Sequence, residues 1–182
     1  MLERRLVHYK DLSTTDLSFV KDLYLESFPE AELIPWPEME TMFDQDHAHL
    51  FVFYNEDEPI AFVSGLVSKS HFYVNYLAVS NQHQSKGYGS LILKLVDDYF
   101  PGRDLVLEIE PLDQASNNYS QRVKRWQFYQ RNGFKTSPYQ TQMNGLNLDL
   151  IIKGEANIHA DEIYQLVNQQ SQALDEIPII EK

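Results

Sequence analysis

Apolar positions recur along this chain with two different periods, and the places where one gives way to the other mark out its elements. Leu6 to Tyr9 reads as a short strand. Ser13, Thr14, Thr15 and Asp16 then offer N-cap chemistry, and Leu17, Val20, Leu23 and Tyr24 follow at helical spacing. That helix is expected to stop before Phe28-Pro29, because the residue preceding a proline is pushed out of the helical region. The stretch PEAELIPWPEME reads as a loop or a broken helix, with one more helical turn over Met39 to Phe43. His49 to Tyr54, Ile60 to Val67 and Phe72 to Val79 are β-branched and aromatic. They are joined by the turn signals NEDEP and Lys69-Ser70, and such short links predict an antiparallel meander.

The second half changes period. A polar, glycine-containing loop from Ser80 to Gly89 leads into a helix predicted over Ser90 to Phe100, with Leu91, Ile92, Leu95, Val96 and Tyr99 on its apolar face. Leu105 to Ile109 is a strand, and Ser120 to Asn132 a helix closed by Gly133 as a left-handed C-cap. Tyr139 to Met143 and Leu148 to Ile152 form a hairpin about Asn144-Gly145. Beyond Gly154, the positions Ile158, Ile163, Leu166, Val167 and Leu174 mark an amphipathic helix. The expected organisation is one domain over residues 1–153, followed by a helical extension over 154–182. That extension is expected to pack on the domain or on a second subunit, the latter giving a homodimer.

Composition then removes several classes of function. The chain is 43% hydrophobic and 13% aromatic, which is enough to build a core. It has no cysteine, which excludes disulfides, thiolate metal sites and a cysteine nucleophile together. A formal charge of −12 repels phosphate backbones, so nucleic acid is not an expected partner; it attracts cationic substrates, and it also serves plain solubility. No apolar stretch reaches bilayer length and none follows the charges of MLERRLVHYK, so the expected location is the cytoplasm, with no membrane partner. His47 and His49 lie two apart without a carboxylate cluster at ligand spacing, so no metal site is expected.

The candidate chemistry sits at the loop QSKGYGS, Gln84 to Ser90. A strand, a glycine-containing loop and a helix form a recipe for holding an anion, since the first helical turn leaves N–H groups without partners and its dipole favours negative charge. Gly87 and Gly89 let backbone approach a phosphate, Lys86 adds positive charge and Ser90 a hydroxyl. A P-loop is excluded because the lysine precedes the first glycine, and a dinucleotide fingerprint because Ile92 stands where its third glycine belongs. An ordinary strand-to-helix turn without ligand remains the alternative for the two glycines alone.

The surrounding sequence YLAVSNQHQSKGYGSLIL resembles motif A of the GNAT superfamily of N-acetyltransferases, with Gln84, Gly87 and Gly89 at the pattern's fixed positions and Leu77 and Val79 on the strand before it. RWQFYQRNGF resembles the same family's motif B through Phe128, Tyr129, Gly133 and Phe134. The resemblance implies a mixed α+β fold, with a central, mostly antiparallel sheet of six to seven strands flanked by helices and splayed at a cofactor cleft. It implies an N-acetyltransferase in which a primary amine attacks the thioester of acetyl-CoA directly, with no metal. The backbone of Gln84, Ser85, Lys86, Gly87, Tyr88, Gly89 and Ser90 would hold the pyrophosphate. Leu77 and Val79 would bind the pantetheine arm, the amide of Val79 polarising the acetyl carbonyl. Tyr129 would give a proton to the leaving thiolate.

For a general base the family's strand glutamate has no counterpart, since that position is about Tyr73. Glu108 and Glu110 alternate along the next strand and share a face, which makes one of them a candidate. Glu26, His71 and Tyr73 are weaker candidates, and an amine that arrives neutral needs no base at all. The asparagine that many members carry seven residues before the tyrosine is Arg122 here, with Asn117, Asn118 and Arg125 nearby. Ala31 to Glu40, with Trp36, and the hairpin near Asn144 would shape the acceptor pocket for a small-molecule or peptide amine; Glu30, Glu32, Glu38 and Glu40 point to a cationic one. A CoA-binding regulatory or scaffold protein without turnover is the competing reading.

Overall fold

The computed structural model describes residues 5–143, 145–154, 158–169 and 177–182. Leu174 and Asn144 lie outside the described residues. Among the described residues eight strands, mostly antiparallel and flanked by five helices, follow one another in the order β1-β2-β3-β4-β5-β7-β6-β8. The chain divides into two compact units, Met1–Val67 with Val74–Val96 and Ser68–Tyr73 with Asp97–Lys182. Among the described residues no helix is long and apolar enough to cross a membrane.

The first unit holds β1 (Arg5–His8), β2 (Ala48–Asn55), β3 (Glu58–Val67) and most of β4 (His71–Val79). Leu50 to Tyr54 and Ile60 to Leu66 are buried without a break. Runs buried at every position are those of strands covered on both faces. The hairpin between them turns on Glu56-Asp57, with Asn55 opposite Glu58 and Glu56 at φ +58, a left-handed conformation uncommon for a residue carrying a Cβ.

Helix α1 (Thr14–Ser27) opens on a capping box: Ser13 Oγ accepts from the Asp16 amide at 3.2 Å, and Asp16 accepts from the Ser13 amide at 3.0 Å. It buries Val20, Leu23 and Tyr24 and stops at Phe28, ahead of Pro29. Helix α2 (Trp36–Phe43) begins a turn earlier than its apolar spacing indicates. Pro37 falls in the first turn, where a missing N–H costs nothing, so the proline that reads as a breaker is here a starter. Helix α3 (Tyr88–Tyr99) likewise starts two residues before the expected Ser90. Its buried stripe is Ile92, Leu93 and Val96, while Tyr99 is about half exposed.

The second unit contains β5 (Asp104–Ile109), α4 (Tyr119–Arg131), β6 (Lys135–Met143), β7 (Leu146–Lys153), α5 (Ala160–Gln169) and β8 (Ile179–Glu181). β7 lies between β5 and β6, antiparallel to both, pairing Glu108 with Leu150 and Thr141 with Leu148. The hairpin brings Met143 opposite Leu146, with Gly145 at φ +77 in the turn. β6 starts four residues before Tyr139; a register shift between Thr136 and Gln140 accommodates Ser137-Pro138, which hid this part of the strand. The tail carries a strand as well as a helix. β8 pairs with β6 (Tyr139 with Glu181, Thr141 with Ile179), which makes the sheet eight-stranded rather than six- to seven-stranded. Helix α5 is tied to the β3–β4 turn by Glu162, which accepts from Ser68 Oγ at 2.8 Å and Ser70 Oγ at 3.1 Å and faces His71 Nδ1 at 3.3 Å.

Candidate active site

In the first unit, Leu77 and Val79 share one partly accessible face of β4 with Asn75, as the two-residue period requires, while Tyr76 and Ala78 on the other face are buried. A short 3-10 turn, Asn81–His83, then reverses the chain. Gln84 closes this turn from its side chain: Nε2 donates to the Val79 carbonyl and to Asn81 Oδ1, both at 3.0 Å. Asn81 in turn donates to the Glu26 carboxylate of α1. The motif glutamine therefore fixes where the loop leaves the strand, which leaves the backbone that follows free for a ligand.

That backbone changes hand repeatedly. Gln84 has φ −64, Ser85 φ +61 and Gly87 φ +84. Changes of hand between neighbouring residues turn successive amides toward one concavity. The first bond of α3 runs from the Leu91 amide to the Gly87 carbonyl, at 3.3 Å. The amides of Tyr88, Gly89 and Ser90 therefore belong to the first turn, which has no intrahelical acceptor for them. A Cβ built on Gly87 meets nothing within 4 Å, so the space in front of this turn is open. Gln84 to Gly87 and Ser90 are exposed, Lys86 among them; Tyr88 and Gly89 are partly covered. These features fit a diphosphate group.

Sequence reasoning passed over His83. It is buried beneath the loop, Nδ1 is 2.9 Å from Ser80 Oγ, Nε2 is 3.8 Å from the Glu58 carboxylate, and its ring meets that of Tyr88 at 5.7 Å. It braces the turn from below. A lone histidine in a polar loop carries no signal of this, because the Glu58 carboxylate is brought to it by the fold.

In the second unit Tyr129 lies on α4, whose end forms a Schellman motif. The Phe134 amide reaches the Tyr129 carbonyl at 3.1 Å, and the Gly133 amide the Gln130 carbonyl at 3.0 Å, with Gly133 at φ +88. The apolar contact that accompanies such a motif is here between the rings of Phe134 and Tyr129, 5.3 Å apart, with Phe128 on the other side at 5.1 Å. The tyrosine and the Gly-Phe pair that follows it thus form one device, the helix end holding the phenol ring. Burial pushes the Tyr129 hydroxyl up to about 12, the Arg125 guanidinium pulling the other way.

Glu110 stands just past the end of β5. It pairs with Arg122 at 3.0 Å and Arg125 at 2.8 Å, and accepts from Asn118 Nδ2 at 2.9 Å. Arg122 also donates to Asn118 Oδ1 and the Pro111 carbonyl. These side chains clamp the start of α4 to the end of β5, which is where Arg122 and Arg125 spend their charge. Glu108, on β5, instead accepts from the Thr141 hydroxyl of β6. Among the described residues no group of three or more metal-ligating side chains could hold an ion.

The loop and strand positions from Leu77 to Ser90 thus fall in the first unit, and Glu108, Glu110 and Tyr129 in the second. Compared with known proteins, residues 17–134 match the model described as the acetyltransferase (GNAT) family. No curated protein matches the chain at a significant level. Among solved structures, a GNAT-family protein from Bacteroides thetaiotaomicron assigned as an acetyltransferase matches with TM-score 0.71 and 24% identity, over 91% of this chain and 94% of that one. An aminoglycoside 6'-N-acetyltransferase complexed with coenzyme A matches with TM-score 0.64 and 15% identity, over 82% and 96%. The ribosomal-protein-S18-alanine N-acetyltransferase from Escherichia coli matches with TM-score 0.59 and 18% identity, over 86% and 99%.

Proposed function

We propose that this chain, which belongs to the GNAT acetyltransferase family, moves an acetyl group from acetyl-CoA to a primary amine by direct attack of the amine on the thioester. The observation that carries this reading is the loop from Gln84 to Ser90. It is pinned to β4 by the Gln84 side chain, offers first-turn amides without intrahelical acceptors, and faces open space at Gly87.

Acetyl-CoA supplies the acetyl group already activated as a thioester. The chain's own residues would do the rest. The amides of Ser85 to Ser90, with Lys86, hold the diphosphate. Leu77 and Val79 run beside the pantetheine arm, and the Val79 amide donates to the acetyl oxygen as negative charge builds there. Tyr129 is assigned the role of donor to the sulfur. A thiol is a stronger acid than a phenol raised to about 12, since thiols titrate near 8.5. Full transfer of the proton from Tyr129 to the thiolate would run uphill. Its part is therefore to stabilise the departing thiolate by a hydrogen bond. An acceptor that arrives as an ammonium gives one proton to a carboxylate before attack and a second to the thiolate as the thioester bond breaks. Glu108 is the better of the two carboxylates to receive the amine's proton, because Glu110 is already shared among two guanidiniums and an amide.

The acceptor is a primary amine. Glu30, Glu32, Glu38 and Glu40 around α2, and a net charge of −12, favour a cationic one. Two structural neighbours are named for amine acceptors of different size, an aminoglycoside and a protein alanine. The test is thiol release from acetyl-CoA across a panel of polyamines, aminoglycosides, amino acids and peptide N-termini. Release that depends on an amine supports the reading. Tight binding of acetyl-CoA with no amine-dependent release would favour a cofactor-binding protein without turnover.

A further inference from the structure

Thr141 lies toward the end of β6 with no exposed surface, and its hydroxyl donates to the Glu108 carboxylate. The two residues belong to strands that are not neighbours. β7 lies between them, with Leu148 opposite Thr141 and Leu150 opposite Glu108. Register partners share a face, so the hydroxyl and the carboxylate meet on the side of the sheet where β7 places buried Leu148 and Leu150 between them. In such surroundings a hydrogen bond to a carboxylate fixes its direction and favours its charged form.

Thr141 is itself held from the far side. The tail strand β8 pairs Ile179 with Thr141, the Gln142 amide reaches the Pro178 carbonyl at 3.1 Å, and the Lys182 amide reaches the Pro138 carbonyl at 2.8 Å. Other charged groups on these strands have partners of their own. Glu110, next on its face, is taken by Arg122 and Arg125 of α4. Asp149 of β7 is paired with Ile109 on the opposite face and is bonded by Gln140 of β6 and Lys182 of the tail. Asp104 lies at the other end of β5, beside Gly154.

We propose that Thr141 is a positioning residue for Glu108, orienting its carboxylate for proton acceptance, with the tail strand β8 holding Thr141 in place. This rests on the reading of Glu108 as the proton acceptor. A base works only when ionised, so the acidic limb of kcat/KM against pH reports its titration. Losing a donor that favours the charged form raises the pH at which that limb falls.

The experiment measures pH profiles of the full-length protein with its best amine for Thr141→Val, Thr141→Ser and Glu108→Gln. In Thr141→Val the acidic limb moves up by about one pH unit, the loss of one hydrogen bond to a charged group. Thr141→Ser, which keeps the hydroxyl, restores the limb to its original position. If the valine variant does not fold, Thr141→Ala carries the same expectation. A limb that stays in place in Thr141→Val, or moves equally in Thr141→Ser, overturns the proposal. Glu108→Gln separates the two levels. If it abolishes the limb while Thr141→Val leaves it unmoved, Glu108 accepts the proton and Thr141 does not position it. If Glu108→Gln keeps both limb and rate, the assignment of Glu108 falls, and the role of Thr141 with it.

Discussion

Gly87 and Gly102 form a matched pair for separating backbone strain from ligand contact. Gly87 has φ +84 and Gly102 φ +79, and a Cβ built on either meets nothing within 4 Å. In the free protein, replacing either with alanine therefore adds no clash, only the cost of holding a Cβ in the left-handed region, roughly 1–2 kcal/mol. The stiffer unfolded chain returns about 0.4–1 kcal/mol of that. A net loss of about 1 kcal/mol in a chain of this length lowers Tm by about 2–4 °C, equally for both variants. Their effects on acetyl-CoA then diverge. Gly102 sits in the turn between α3 and β5, whereas the methyl at Gly87 occupies the space that a diphosphate would fill. Thermal melts and acetyl-CoA titrations of both should show the same Tm change, and binding weakened at least tenfold, about 1.4 kcal/mol, in Gly87→Ala alone. Equal affinities in the two variants would refute the placement of the diphosphate at this loop.

Other outcomes follow from the second unit and the sheet edge. Tyr129→Phe should lower kcat by about 10- to 100-fold, the loss of one hydrogen bond to a developing thiolate, with the KM for acetyl-CoA nearly unchanged; a rate within twofold of the parent removes Tyr129 from the reaction. Gly154→Ala places a Cβ 1.8 Å from Asp104 Oδ1 and 2.8 Å from its Cβ, so it should cost more stability than either Gly87→Ala or Gly102→Ala. A Tm drop no larger than theirs would contradict that ranking. Burial, and then Lys10, hold the His8 imidazole below its ordinary pKa, Asp11 opposing them. The folded state therefore binds this proton less readily than the unfolded chain does. The stability tied to neutral His8, whose Nε2 lies 3.1 Å from His49 Nδ1, is full above about pH 6.5 and is lost as pH falls below it. Denaturant midpoints at pH 7.5 and 5.5 should differ more in the parent than in His8→Asn; an equal difference sinks the assignment.

Much of this molecule was legible locally, because several of its devices are written in neighbouring residues. The Ser13 and Asp16 capping box, the stop before Pro29 and the left-handed Gly133 need only a few positions each, and all three stand where their patterns put them. Of the two loop glycines, Gly87 stands left-handed ahead of α3, whereas Gly89 falls inside the helix. What escaped was set by partners distant in sequence. Pro37 reads as a breaker until the helix start is known. IPIIEK is too short to identify as a strand until β6 offers it an edge. Glu108 and Glu110 look alike on a two-residue period, but one meets a hydroxyl two strands away and the other two arginines of α4. No periodicity carries that distinction, because it depends on register and on where a helix starts.

The central claim is that the backbone from Gln84 to Ser90 holds the nucleotide end of acetyl-CoA, and amide hydrogen exchange tests it without altering a residue. The first-turn amides of α3 lack intrahelical acceptors in the free protein, so they should exchange quickly there and slow sharply when acetyl-CoA is added. The account predicts that the largest protection on binding falls on peptides covering Ser85 to Ser90. Saturating acetyl-CoA that leaves these peptides exchanging as before, while protecting others, would contradict it.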